Sequence, residues 1–321
     1  MYLVCIKQLS ATNTPIQSLS LNIPTQICYG IIGASGSGKS SLLNIIAGLH
    51  GEASANVLID NVPANRATQR IGIVSPRIQL SADARIDELL LQHAQLYHQQ
   101  VDNIRQAYQR AIRLCALESI SQQQVRTLSV FNQRRVVLAQ AIIQQPALLL
   151  IDEPTIGLTA SEQNVMIDIL EGLRDRDMTL VITSRGDAPL DSLFDMIGVL
   201  ANGTIIAELD QQQIRNLPRT ILIRADVIPT AAYEHIVALD NGIVVTRRNI
   251  VLTGEGVRAL SQILQVLLHY HVHIFAIEPL NHPLADLVNQ AKQPQVLAHR
   301  YPVRVVTSPI ADAGVEEETA Q

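Results

Sequence analysis

The stretch IIGASGSGKSSLLNII, residues 31–46, decides how this chain folds. Its centre, Gly33 to Ser40, fits the pattern G-x-x-x-x-G-K-[ST]. The apolar run Cys28 to Ile32 precedes it, and a helix signal over 40–49 follows, closed by Gly48 and Gly51. Strand, glycine turn and helix in that order suit phosphate binding. Glycines let backbone N–H groups close around phosphate oxygens, and the helix N-terminus adds positive potential. Gly33, Ala34, Ser35, Gly36, Ser37, Gly38, Lys39, Ser40 and Ser41 are therefore the expected nucleotide-binding residues. Lys39 is placed to reach the β- and γ-phosphates of ATP, and the Ser40 hydroxyl to ligate Mg²⁺. The bland alternative is an ordinary glycine turn. At average composition the pattern arises by chance in on the order of one such chain in a hundred.

Downstream, LLLIDEP at 148–154 reads as a strand buried on both faces of a parallel sheet, ending in two adjacent carboxylates. Asp152 is the expected Mg²⁺-shell residue. Glu153 is the expected catalytic residue, orienting and polarising an attacking water. A solvated acidic turn would read the same in isolation; the phosphate loop upstream favours the chemistry.

Short apolar runs at 57–59, 71–74, 180–183 and 197–200 are further strand candidates, and 2–10 and 19–32 read as strands. From Asp83 to about Gln145 the apolar spacing is helical. Asn202-Gly203 is a hairpin signal. Composition changes at Leu217-Pro218, beyond which strands and helices restart in a ferredoxin-like order. The expected domains are 1–216, a small α+β unit over 217–300, and a disordered tail over 301–321 that carries Glu316-Glu317-Glu318.

The 321 residues suit two domains, and 24 basic against 29 acidic residues, net −5, argue against a nucleic-acid surface. Cys5, Cys28 and Cys115 lie far apart without metal-ligand spacing and read as reduced thiols. No apolar run approaches the ~20 residues needed to cross a bilayer. Residues 1–10 alternate like a strand rather than a leader, so a soluble protein is expected, and any membrane pore would belong to another chain.

The order of phosphate loop, helical insert, LS-initiated segment and hhhhDEP resembles ATP-binding-cassette (ABC) ATPases. LSVFNQRRVVLAQAIIQQPALLLIDEPTIGL, residues 128–158, is similar to that family's run from signature motif to D-loop. The resemblance covers about residues 1–215. It implies an α/β P-loop NTPase of ABC type, with a mixed sheet core plus a helical subdomain, followed by the small α+β domain. It further implies ATP and Mg²⁺ as ligands, a second ABC ATPase domain as partner in a homo- or heterodimer, and a transmembrane permease subunit. The location implied is cytoplasmic, peripheral on the membrane. Ser129 would act in trans, as the signature serine facing the partner's nucleotide. The C-terminal unit resembles a small extra domain of some exporter ATPases.

The departures from the family pattern are as informative. Val130, Phe131 and Asn132 replace the Gly-Gly-Gln of LSGGQ, and side chains there obstruct the approach that glycine permits. Pro76 stands at the Q-loop glutamine, with Gln79 nearby. Thr159 stands at the D-loop aspartate, and Ser184 at the switch histidine. No aromatic residue lies near Thr12, where relatives stack one on adenine. Two functions stay open: a slowly hydrolysing transporter subunit, expected to be an exporter, and a non-hydrolysing ATP-binding regulatory module. His269, His271 and His273 alternate but straddle a helix end and a strand start, which favours half-buried histidines over a metal site.

Overall fold

The computed structural model describes residues 1–75, 80–97, 100–174, 178–291 and 304–305. Pro76 and Gln79 lie outside the described residues, as does the expected tail apart from Arg304 and Val305.

In chain order, the first half holds β1 (Tyr2–Leu9), β2 (Leu19–Pro24), β3 (Cys28–Ile32), α1 (Lys39–Ile46), α2 (Gly51–Ala55), β4 (Val57–Ile59), β5 (Val62–Pro63) and β6 (Ile71–Val74). The helical region α3 (Ile86–Tyr97), α4 (Val101–Leu114) and α5 (Val130–Ile143) follows. Then come β7 (Leu148–Ile151), α6 (Ala160–Arg174), β8 (Thr179–Ser184), β9 (Met196–Ala201), β10 (Thr204–Asp210) and α7 (Gln211–Arg215). The last third holds β11 (Thr220–Ala225), α8 (Thr230–Val237), β12 (Ile243–Val245), β13 (Asn249–Thr253), α9 (Leu260–His269), β14 (Ile274–Pro279), α10 (Pro283–Gln290) and β15 (Arg304–Val305). The expected strand over 19–32 is two strands. A turn between them puts Gln26 at φ +59°, and the chain crosses there from one sheet to the other.

The principal sheet runs β15-β10-β9-β3-β8-β7-β6. β9, β3, β8, β7 and β6 are parallel, and β10 and β15 are antiparallel additions at one edge. Every residue of β3, β7 and β8 is buried, as expected of parallel strands covered on both faces. In register, Ile32 lies beside Ser184 and Ile151 beside Ile182. Three strands therefore end almost flush, and the segments that follow them emerge side by side at the carboxyl edge, where open parallel sheets bind ligands. An antiparallel sheet, β2-β1-β4-β5, adds the second layer. The Asn202-Gly203 turn joins β9 to β10 with both residues at positive φ, as that dipeptide led us to expect.

β11-α8-β12-β13-α9-β14 has ferredoxin-like order, and its all-antiparallel sheet β12-β13-β11-β14 encloses a core of its own around Ile223, Ile236, Ile250 and Ile263. α10, inside the expected 217–300 unit, packs elsewhere. Leu284, Leu287, Val288 and Ala291 join the core that holds α5, β7 and β8. Gly186 makes this docking tight: at φ +83° it faces the helix backbone, and a methyl there would lie 2.5 Å from the Leu284 carbonyl carbon.

Leu287 is fully buried in this packing. Leu287→Ala is expected to destabilise the unfolding transition of the core that holds α5, β7 and β8 by roughly 2–5 kcal/mol, the usual cost of a leucine-sized cavity. Urea unfolding followed by circular dichroism reads this. A change confined to a separate, smaller transition would show that α10 belongs with the accessory core.

Candidate functional site

The phosphate loop leaves β3 and turns into α1. Gly38, the N-cap residue of α1, sits at φ +106° and supplies no side chain to the first amides of the helix. No acidic side chain lies in the first turn either. Among the described residues no side chain caps the first N–H groups of this helix, the arrangement that binds anions. Lys39 is 4% exposed, and its ammonium donates to the Gly33 carbonyl at 2.8 Å and the Ala34 carbonyl at 3.0 Å. Burial pulls its pKa below the ordinary lysine range, and the charge of Glu153 opposes that pull. Ser35 and Gly36 are exposed at the rim, and the buried Ser37 Oγ has no partner among the described residues. Ser40 and Ser41 are half-buried on the first turn of α1. A cleft over the loop is lined by Ser35, Ser37 and Asn202 together with Val288 and Ala291 from the α10 region.

Across the loop stand the residues after β7. The Asp152 N–H donates to the Val74 carbonyl at 2.8 Å. The buried Thr183 hydroxyl donates to Asp152 Oδ1 at 2.7 Å and accepts from the Glu153 N–H at 2.9 Å. Glu153 sits at φ +45°, in the left-handed region. One of its carboxylate oxygens, Oε1, lies 3.5 Å from Lys39 Nζ and accepts from Arg185 Nε at 3.2 Å. The other, Oε2, lies 3.1 Å from Arg185 Nη2. The hydrogen bond to Glu153 raises the Arg185 pKa above its usual value.

The structure therefore brings Lys39, Asp152 and Glu153 together with the phosphate loop. An anion entering the loop would meet a buried ammonium and free helix amides. One carboxylate and one hydroxyl, from Asp152 and Ser40, match the sparse protein ligation that Mg²⁺ takes beside phosphates. Among the described residues, no group of three His, Cys, Asp or Glu side chains is placed to hold a metal ion.

The other expected positions are engaged in local contacts, although Val130 lines a cavity with Asp152 and Glu153, and Ser184 lines one with Glu153 and Arg185. Ser129 is exposed and caps α5, its Oγ accepting from the Asn132 N–H at 3.3 Å. Val130 is 60% exposed, while Phe131 packs under the Arg135 guanidinium, 4.7 Å from ring centroid to Cζ. Thr159 forms a capping box at the start of α6. Its N–H donates to Glu162 Oε2 at 2.9 Å, and the Glu162 N–H donates to Thr159 Oγ1 at 3.4 Å. Ser184 is buried, its Oγ accepting from the Gly186 N–H at 3.0 Å and its carbonyl from the Gly33 N–H at 3.1 Å. The neighbouring Arg185, which the sequence reading passed over, is the residue that reaches Glu153. Thr183 was missed as well. No local signal singles out either one: Thr183 lies in β8, the strand beside LLLI, and Arg185 follows the end of that strand.

Known proteins resemble this chain in sequence and in fold. Residues 16–156 match the family model described as ABC transporter. The linearmycin resistance ATP-binding protein LnrL of Bacillus subtilis (strain 168) is 26% identical over 63% of this chain and 66% of its own length. The Nod factor export ATP-binding protein I of Burkholderia orbicola (strain AU 1054) is 31% identical over 60% of this chain and 65% of its own length. The matched region thus spans just under two thirds of either relative. Among solved structures, cbiO1 from Clostridium perfringens, part of the ABC transporter complex cbiONQ, superposes with a TM-score of 0.61. It is 22% identical over 67% of this chain and 90% of its own. The ATP-binding cassette MJ0796, dimeric and bound to ADP and Pi, superposes with a TM-score of 0.59 at 23% identity, covering 65% of this chain and 98% of its own.

Thr183→Val is expected to leave Asp152 without its donor and to cost about 1–3 kcal/mol in stability, whereas Thr183→Ser, which keeps the hydroxyl, should recover most of it. Equal urea midpoints for the valine variant and wild type would show that the hydroxyl bridge contributes nothing.

Proposed function

We propose that the chain is an ABC transporter ATP-binding protein, the ATP-binding, slowly hydrolysing subunit of a transporter, acting in export. The observation that carries the ATP reading is the buried Lys39 ammonium at the base of the glycine loop, facing the carboxylates that follow β7. Gly33 to Ser41 would cradle the phosphates, with Lys39 exchanging its carbonyl partners for phosphate oxygens. Ser40 and Asp152 would hold Mg²⁺, which neutralises phosphate charge and leaves Glu153 to orient water. Export is supported by the names of the relatives, one concerned with antibiotic resistance and the other with Nod factor export.

By family analogy the partners would be a second ABC ATPase domain, from a copy or a homologue, and a transmembrane permease. Ser129 would face the partner's nucleotide, and the chain would sit on the cytoplasmic face of the membrane. No helix among the described residues is long and apolar enough to cross a membrane. The net charge of −5 supports no nucleic-acid partner. The proposed division remains a cassette over 1–216, an accessory unit beginning at 217 and a tail from 301, with α10 serving the cassette. A non-hydrolysing regulatory module is the second reading. The pairing of both Glu153 oxygens to cations and the exposed Val130 at the signature position favour it.

Calorimetric titration of Mg-ATP into the full chain is expected to show binding that Lys39→Ala abolishes. Undiminished affinity in the variant would sink the ATP reading.

Steady-state phosphate release separates the two functional readings. We expect measurable turnover at roughly a hundredth of an ordinary ABC ATPase or less, the usual cost of losing one preorganised charge-stabilising group. Its rise in Val130→Gly/Phe131→Gly would follow from restored backbone approach at the signature. Zero turnover in both would favour the regulatory module.

A further inference from the structure

We propose that Arg185 is a positioning residue that restrains Glu153, its guanidinium holding both carboxylate oxygens and competing with water for them until the clamp opens. This rests on the ATP-site reading above and extends it to the control of turnover.

The clamp is a fork: Nε donates to Oε1 at 3.2 Å and Nη2 lies 3.1 Å from Oε2. Two parallel contacts of this kind fix orientation as well as charge, which a lysine at the same place would not do. Glu153 is 15% exposed and Arg185 41%, so the pair sits at the mouth of the site with its acidic half sheltered.

The backbone on both sides is held. Glu153 is anchored through its N–H to Thr183 Oγ1 at 2.9 Å. The segment carrying Arg185 is tied at Ser184, whose carbonyl accepts from the Gly33 N–H of the phosphate loop at 3.1 Å. The next residue, Gly186, lies against the α10 backbone so closely that a methyl there would come within 2.6 Å of the Ala285 nitrogen. Arg185 is therefore a side chain on a braced turn, aimed at the carboxylate that the reaction needs.

The second cation on Glu153 has a different fate. Lys39, 3.5 Å from Oε1, is the group that phosphate would recruit. Nucleotide binding would then remove one of the two cations from Glu153 and leave the other. In this state Arg185 is the cation that still competes with water for the Glu153 carboxylate and fixes its orientation. The sequence places this arginine directly after Ser184, which stands at the switch-histidine position by family resemblance.

The test compares the full chain with Arg185→Ala, Arg185→Lys, Glu153→Gln and the Arg185→Ala/Glu153→Gln double variant. Arg185→Ala is expected to raise kcat for phosphate release roughly five-fold, the scale of a partly exposed ion pair, with KM and the calorimetric Kd for Mg-ATP unchanged. Arg185→Lys should give a smaller gain, and the double variant none. In nucleotide-free protein the urea midpoints of wild type, the two single alanine and glutamine variants and the double variant should be non-additive, because the two side chains touch. A kcat in Arg185→Ala equal to or below wild type would overturn the proposal by making the guanidinium neutral or helpful. A gain that survives Glu153→Gln, or additive midpoints, would overturn it as well. Failure of the wild-type chain to bind Mg-ATP at all would instead remove the ATP reading, and the clamp with it.

Discussion

The Thr183 hydroxyl donates to Asp152 Oδ1 at 2.7 Å and accepts from the Glu153 N–H at 2.9 Å, and the candidate site is arranged around that buried pair of bonds. The bonds are available only because β7 and β8 are parallel neighbours with Ile151 beside Ile182. The same sheet sets β3 on the other side of β8, with Ile32 beside Ser184, so the phosphate loop begins level with the carboxylates. Register in a parallel sheet, fixed by strands buried on both faces, is thus the constraint that turns two separate motifs into one site. A slip of one residue would turn Thr183 to the opposite face and separate the hydroxyl from both partners.

The parts of this arrangement that were legible in the sequence are those whose geometry is encoded locally. GASGSGKS carries its own backbone requirement, with Gly36 and Gly38 at positive φ in the structure. LLLIDEP carries a burial pattern and a chemical ending in seven residues. Asn202-Gly203 names its turn. What stayed hidden depends on contacts between distant segments. Nothing in Thr-Ser-Arg at 183–185 announces that the first residue bridges two carboxylate-bearing positions or that the third reaches Glu153, 32 residues away. The apolar spacing of Leu284, Leu287 and Val288 correctly implied a helix. A stripe does not say which core it faces, and α10 turned to the cassette.

Ser129, Phe131 and Thr159 also have local physical roles here. Thr159 completes a capping box with Glu162 and so serves the start of α6. Phe131 is covered by Arg135, and Ser129 gives its lone pair to the Asn132 N–H. These residues build a stable amino-terminal turn for α5. A helix start bearing Val130 and Phe131 is well capped, whereas paired glycines would leave it more flexible and open to a ligand. The local substitutions trade access for order, in the same direction as the clamp on Glu153.

The course of the chain around the accessory unit explains how a helix beyond it can serve the first core. Entry and exit lie side by side. The Leu280 N–H donates to the Thr220 carbonyl at 2.8 Å, and Asn281 ties the crossing from both directions. Its Oδ1 accepts from the Thr220 N–H at 2.7 Å, while its Nδ2 donates to the Pro218 carbonyl at 3.1 Å and to Asp286 Oδ2 at 2.7 Å. The βαββαβ unit is thereby closed off at its base, as an insertion would be, and the chain leaves it where it entered, beside the cassette. From that point Pro283, at the first turn of α10, starts the helix directly against Gly186. Asn281 joins the base of the accessory unit to α10 through Asp286, and α10 braces the turn that carries Arg185. The residue that holds Glu153 therefore stands at the end of a continuous line of contacts from the accessory sheet, while Lys39 and the phosphate loop approach the same carboxylate from the other side.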